Sequence, residues 1–258
     1  MTNVQGHHWR ERRKGCCFRR IGKLTRAPQW TRQIGLLYAR GAFVSTVTHR
    51  LVLCTFMANP PQPISPVQCI PPLTVDGILP PFVGTTTPTP ASMAPYACTL
   101  VEAARRFCTS RARVTIFLGL LEYRAALANL GFVQGIQWLS GSFLEDIERL
   151  ETRDPRDVDI VTFCVPPANC RTPADAQAMV RANQQVFVPI HAKSRYHCDP
   201  YFVSFLSNPE AIVSATRYWF GLFSHRRGGL WKGLLHVPLA ISQQDRDAEG
   251  FVNGLNFP

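Results

Sequence analysis

No two cysteines in this sequence are spaced as CxxC, and the nine present are scattered over positions 16, 17, 54, 69, 98, 108, 164, 170 and 198. An odd, scattered set excludes a zinc ribbon and a secreted disulfide scaffold. Cys164, Cys170, His197 and Cys198 are the one grouping that suggests a metal. Buried free thiols in a reducing cytosol are the reading adopted, and they imply a cytoplasmic protein. There is also no run of about 18 uncharged apolar residues, so no membrane span is expected. The most apolar stretch, "AFVSTVTHRLVLCTFMA", is interrupted by His49 and Arg50. No internal repeat is visible.

Acids are scarce, 17 Asp+Glu against 28 Lys+Arg, and the net charge of +11 resembles that of a nucleic-acid binder. Its distribution removes that implication. Residues 1–57 hold 11 Lys+Arg and one acid, Glu11, so the remaining residues carry only +1. Three readings of the basic segment stand: an arm for an anionic partner, a transit peptide, or translated upstream DNA with Met57 as the true start. The last is preferred, and residues 1–57 are set aside as a disordered or artefactual extension.

What is present begins with proline. Residues 58–96 contain "NPPQPISP", "CIPPL", "ILPPFVG" and "TTTPTPASMAP". Because proline fixes φ and removes a donor, this reads as an extended, wrapping lead-in without regular helix or sheet. Helices follow over 98–109, with Thr99 and Glu102 spaced as a cap pair, and over 113–130. The second repeats Ile116, Leu120, Tyr123, Leu127 and Leu130 along one face and stops at Gly131. A strand from Ile136 to Leu139, a Ser140–Ser142 turn and a helix over 143–151 come next. Then follow a strand from Asp157 to Val165, a helix over 173–185, a strand from Cys198 to Phe205, a helix over 209–223 and a strand from Leu234 to Leu239. The order predicts an α+β (α/β) domain over 97–245 with a mixed sheet flanked by helices, and a tail over 246–258.

Two features carry chemistry. Asp157 and Asp159 lie two apart on a strand, so their carboxylates share a face while Val158 and Ile160 point to the core. Like charges this close repel unless a cation neutralises them, and Mg²⁺ is commonly held by one or two carboxylates plus phosphates. The alternative is a loop-end acid followed by a solvated sheet face. Upstream, Ser142 and Glu145 have the spacing of a capping box, and Gly141-Ser142 opens a helix whose free N–H groups suit phosphate. Glu145, Asp146 and Glu148 put negative charge beside that site, so they must face away or be outweighed.

Gly-Ser at a strand-to-helix turn, followed by Asp-x-Asp on the next strand, resembles the nucleotidyltransferase superfamily related to DNA polymerase β. The segments "GSFLEDIERLETRDPRDVDIVTF", "HCDPYFVSF" and "YWFGLFSHRRGGLWKGLL", in this order, resemble a bacterial nucleotidyltransferase-like branch. The resemblance implies a nucleotidyltransferase-like fold and transfer of a nucleoside monophosphate from an NTP, ATP included, to an acceptor hydroxyl. It further implies Mg²⁺ or Mn²⁺, two ions, held by Asp157 and Asp159, with Asp199 as third metal-binding and catalytic carboxylate. Gly141 and Ser142 would hold the triphosphate. The acceptor is open: RNA, protein or small molecule. The same resemblance implies a toxin–antitoxin or phage-defence setting with a cognate partner. Two departures stand out: fourteen residues separate Ser142 from Asp157, and Pro200 adjoins the third acid.

Arg226, Arg227 and Lys232 in "SHRRGGLWKG" are further candidates for binding nucleotide phosphates, with a solvated turn as the alternative. Tyr218, Trp219 and Trp231 would serve a base by stacking, but core packing is the reading preferred for such aromatics. The alternative to an enzyme is a catalytically inactive nucleotide-binding or protein-interaction module of the same fold.

Overall fold

The computed structural model describes residues 70–84 and 89–257. The basic extension and residues 58–69 of the lead-in lie outside the described residues. A five-stranded sheet has the order β1-β5-β2-β3-β4, built from β1 (Tyr96–Ala97), β2 (Gly135–Ser140), β3 (Val158–Cys164), β4 (Cys198–Ser204) and β5 (Leu235–Pro238). β3 and β4 are parallel, as are β1 and β5, whereas β2 runs antiparallel to both of its neighbours. The sheet is therefore mixed, and the α+β class read from the sequence is the class observed.

Eight α-helices accompany it among the described residues: α1 (Leu100–Phe107), α2 (Arg111–Asn129), α3 (Ile147–Glu151), α4 (Pro173–Ala182), α5 (Gln184–Phe187), α6 (Pro189–Tyr196), α7 (Pro209–Phe223) and α8 (Gln243–Asn253). α1 starts where its local chemistry says. The Thr99 hydroxyl accepts from the Glu102 amide, and the Glu102 carboxylate accepts from the Thr99 amide, satisfying two otherwise orphaned donors. α2 buries Ile116, Leu120, Tyr123 and Leu127 of the face its periodicity announced, with Phe117 beside them, while Leu130 is its half-buried C-cap. The aliphatic and phenylalanine side chains among them each contribute about 1.5–3 kcal/mol of burial. Gly119 lets α2 lie directly on the Tyr196 carbonyl at the end of α6, where any Cβ would collide with that oxygen.

Strand alternation sorts the sheet into two faces. One carries Gln137, Thr162 and Phe202. Here Arg124 of α2 donates to Gln137, which donates to Thr162, while Asp245 of α8 pairs with the same arginine at 2.8 Å. The other face carries Trp138, Phe163 and Tyr201, and α7 lies over it through Phe220 against Trp138 and Trp219 against Tyr201. Asp159 and Asp199 belong to this second face, which is how the sheet positions the candidate site.

Three expectations need correction. The lead-in, expected to lack regular structure, forms a 3-10 turn at Pro90–Ser92 and opens β1 at its last residue, because Tyr96 and Ala97 pair with Leu235 and His236. Between the helix expected over 173–185 and the strand expected from Cys198, the chain forms two further helices, α5 and α6. Residues 243–253, partly read as tail, form α8, whose Ala248 and Val252 are buried.

Candidate active site

β2 delivers the chain to the site at Ser140, whose hydroxyl donates to the Phe223 carbonyl of α7 at 2.9 Å. Gly141 then adopts φ 90°, ψ −174°, a conformation essentially reserved for glycine. A Cβ there would stand 2.8 Å from Asp159 Oδ2 and 3.3 Å from the Asp159 amide nitrogen. The bend and the carboxylate are thus in contact because residue 141 has no side chain. Gly141→Ala should lose about 1–3 kcal/mol from backbone strain alone, measurable by urea unfolding, and should push Asp159 from its place.

Across the sheet, Asp159 is in register with Ser140 of β2 on one side and Asp199 of β4 on the other. Paired residues project to the same face, so the two carboxylates are side by side. Asp157, two residues earlier and on the same side, completes the group. Asp159 keeps an edge to solvent but sits deep among protein atoms. Burial first, then the charges of Asp199 and Asp157, raise its pKa from 3.8 to about 6, against the smaller opposing pull of Lys232 and Lys193.

One cation ties the other two acids together. Lys193 of α6 places its Nζ 3.0 Å from Asp157 Oδ2 and 2.7 Å from Asp199 Oδ2. Burial works against its charge, but the hydrogen bonds and charges of Asp199 and Asp157 outweigh that and raise its pKa. The Tyr201 hydroxyl donates to the same Asp199 oxygen at 3.3 Å. Burial and the nearby Asp199 and Asp159 charges push its phenol well above the usual range, so it stays a donor. Asp199 Oδ1 is buried and finds no hydrogen-bond partner among the described residues.

Lys193 was not legible as a site residue. The signals available were Pro189, suited to a first helical turn, and a basic side chain six residues before Asp199. α6 ends at His197 in the left-handed conformation, φ 53°, and the His197 amide donates to the Lys193 carbonyl at 3.1 Å. That tight reversal brings helix and strand together so that Lys193 meets Asp199.

The expected Ser142 capping box is absent. Residues 142–144 form a 3-10 turn capped by Gly141, and the helix proper, α3, begins only at Ile147. The Glu145 carboxylate is drawn instead to Lys232 at 2.5 Å and Arg226 at 3.0 Å. A full helix N-terminus for phosphate is therefore replaced by a single tight turn. Arg113 pins that turn, donating to the Phe143 carbonyl at 2.7 Å and the Glu145 carbonyl at 2.5 Å while pairing with Glu148. The acids beside the expected phosphate site are all paired locally: Glu145 as above, Asp146 with Arg149, and Glu148 with Arg113.

Arg226 and Lys232 do lie beside the bend, and Lys232 Nζ is 3.4 Å from the Gly141 carbonyl. Their charges are already engaged, since Arg226 also pairs with Glu151 at 2.8 Å. Arg227 is exposed on the turn. Of the aromatics, Trp219 is core, as preferred. Tyr218 and Trp231 are not, at 55% and 39% exposed. Cys98, Cys108, Cys164, Cys170 and Cys198 are free and buried, in keeping with the thiol reading.

Three carboxylates are a hard oxygen donor set of the kind divalent magnesium or manganese takes. The raised pKa of Asp159 and the orphaned Asp199 Oδ1 both report charge and lone pairs that the protein itself does not satisfy. In kind, then, the residues fit such an ion. In spacing they are held by Lys193, and no His/Cys/Asp/Glu group among the described residues is gathered closely enough to hold a metal.

The pattern of a family of unknown function, DUF6932, matches residues 71–238, well over half of the chain. The chain belongs to the DUF6932 family. That match takes in every element of the site, from the Gly141 bend to Lys232, and leaves α8 outside. No curated protein and no solved structure matches this DUF6932 chain. Among the described residues, no helix is long and apolar enough to cross a membrane.

Proposed function

We propose that this chain is a divalent-metal-dependent nucleotidyltransferase, moving a nucleoside monophosphate from an NTP to an acceptor hydroxyl and releasing pyrophosphate. One observation carries the reading: Asp159 lies in register with Asp199, with Asp157 beside them, against a bend whose glycine admits no side chain. Asp157, Asp159 and Asp199 would hold Mg²⁺ or Mn²⁺, which would neutralise the triphosphate and make the acceptor hydroxyl more acidic.

The chain's own groups then have distinct roles. Gly141 lets the triphosphate approach the backbone, and Ser142 offers its hydroxyl. Tyr201 holds Asp199 Oδ2, which leaves Oδ1 as the acceptor for the proton of the attacking hydroxyl. That hydroxyl oxygen bonds to the α-phosphorus as the bond to the bridging oxygen breaks, and pyrophosphate leaves. The acceptor would be RNA, a protein side chain or a small molecule, and the cellular setting toxin–antitoxin or phage defence with a cognate partner.

A second reading, an inactive nucleotide-binding or interaction module, is favoured by a specific contact: Lys193 bridges Asp157 and Asp199 with the chain's own positive charge. Incubating the full chain with each labelled NTP and Mg²⁺ or Mn²⁺ separates the two. Pyrophosphate release that drops at least about a hundredfold in Asp157→Ala is the result expected of an enzyme, the scale of removing one electrostatic group from a reaction site. Release that is unchanged by the substitution sinks the enzymatic reading, and nucleotide binding without turnover establishes the second.

A further inference from the structure

The counter-charges around the site are unevenly committed. Glu145 and Lys232 form a pair whose side chains are both 6% exposed, and Arg226 bridges Glu145 and Glu151. Both cations are held by the buried Glu145. Lys193 differs: its side chain is 42% exposed, whereas Asp157 and Asp199 are 22% and 12% exposed. A lysine side chain with this exposure regains hydration when it swings away on its four-carbon stem, so its release costs less than freeing Lys232 from its buried pair. Its backbone, by contrast, is fixed. Ala192 and Tyr196 are buried, Tyr196 packs against Tyr123, and the His197 amide caps the Lys193 carbonyl. Only the side chain has freedom to move.

Lys193 also satisfies the cluster incompletely. It bonds Asp157 and Asp199 through their Oδ2 atoms, makes no ion pair with Asp159, and leaves Asp199 Oδ1 buried and unpartnered. A single ammonium is ion-paired within the cluster of three carboxylates, and Lys232 acts on Asp159 only at longer range.

We propose that Lys193 is a built-in, displaceable counter-ion of this cluster, so that a divalent cation loads the site by competing its ammonium off Asp157 and Asp199. The inference rests on the metal-dependent reading above. With the ammonium in place, it sets the separation of the two acids it bridges. With Lys193 turned to solvent, three carboxylates are free to close on one ion. The same residue that offsets the repulsion between Asp157 and Asp199 therefore sets the metal concentration at which the site becomes competent.

Mn²⁺ binding to the full chain, read by calorimetry and by loss of the free-ion paramagnetic resonance signal, tests this without any turnover. Lys193→Met and Lys193→Gln should each bind Mn²⁺ about tenfold more tightly than the natural chain, the scale of removing one competing charge a few ångströms away. Lys193→Arg, which keeps the charge, should stay within a few-fold of it. Adding Asp157→Asn to Lys193→Met should erase the gain. Equal or weaker binding by both neutral variants overturns the role of Lys193 while leaving the metal site standing. A gain that survives Asp157→Asn places the ion elsewhere and overturns it too. If no variant binds Mn²⁺ while all keep the natural far-ultraviolet circular dichroism, the metal reading falls and this inference with it.

Discussion

Asp159→Asn should give a protein that releases no measurable pyrophosphate and is nevertheless harder to unfold at neutral pH. The activity half follows from the role proposed for this carboxylate, and a loss of at least about a hundredfold is expected. The stability half follows from its surroundings. Burial and two like charges raise the pKa from 3.8 to about 6 in the folded chain. Between those values the folded state holds a proton that the unfolded state has released. The contribution of this group therefore falls as pH rises through that window and is fully unfavourable above it. At about 1.4 kcal/mol per unit, two units amount to about 3 kcal/mol. The neutral, nearly isosteric amide removes that cost. Thermal melts of the two proteins at pH 8 should separate by several degrees and converge only below about pH 3, where the natural carboxyl is protonated in either state. A melt at pH 8 that is lower for Asp159→Asn would show that the carboxylate is satisfied as it stands. An acid retained at a net cost to folding is what a functional site looks like.

The parts of this site that were legible in the sequence are those encoded by local rules. Strand alternation put Asp157 and Asp159 on one side of β3 and Val158 and Ile160 on the other, because period-two geometry leaves no third option. Thr99 and Glu102 formed their reciprocal cap because nothing distant competes for either group. Ser142 and Glu145 have the same spacing and did not, because Lys232, distant in sequence, lies 2.5 Å from the Glu145 carboxylate and outbids a backbone amide. A local motif loses when a buried cation arrives from elsewhere in the chain. The α6 segment, "PIHAKSRY", was opaque for a different reason. Only Ala192 and Tyr196 are buried, and Ile190 is 73% exposed, so the apolar periodicity that announces α2 is missing. Lys193 went unread with it. Likewise α8 buries little beyond Ala248 and Val252, although its Ser242–Asp245 cap was there to be read.

Lys232→Met should cost about 3–5 kcal/mol of folding stability, the penalty for stripping one partner from a buried ion pair. Lys232 and Glu145 are each only 5% exposed, and the Lys232 ammonium also lies 3.4 Å from the Gly141 carbonyl. Methionine fills the stem's space but leaves Glu145 facing Arg226 alone, at 3.0 Å. Set against a typical domain stability of about 5–15 kcal/mol, that loss is large enough to read in any urea titration. The double variant Lys232→Met/Glu145→Gln should recover most of it, since replacing both charges removes the buried, half-compensated carboxylate instead of exposing it. This pair of measurements also decides what Lys232 is for. A lysine kept chiefly to grip phosphate would leave folding nearly untouched when replaced, and nucleotide affinity alone would fall. A lysine kept chiefly for Glu145 gives the opposite result, with stability lost in the single variant and restored in the double. The geometry favours the second outcome: Lys232 holds Glu145, Glu145 anchors the turn after Gly141, and the turn holds the glycine against Asp159. The basic residue beside the bend would then serve the chemistry by fixing the shape of the bend, with Lys193 left as the cation free to respond to what binds there.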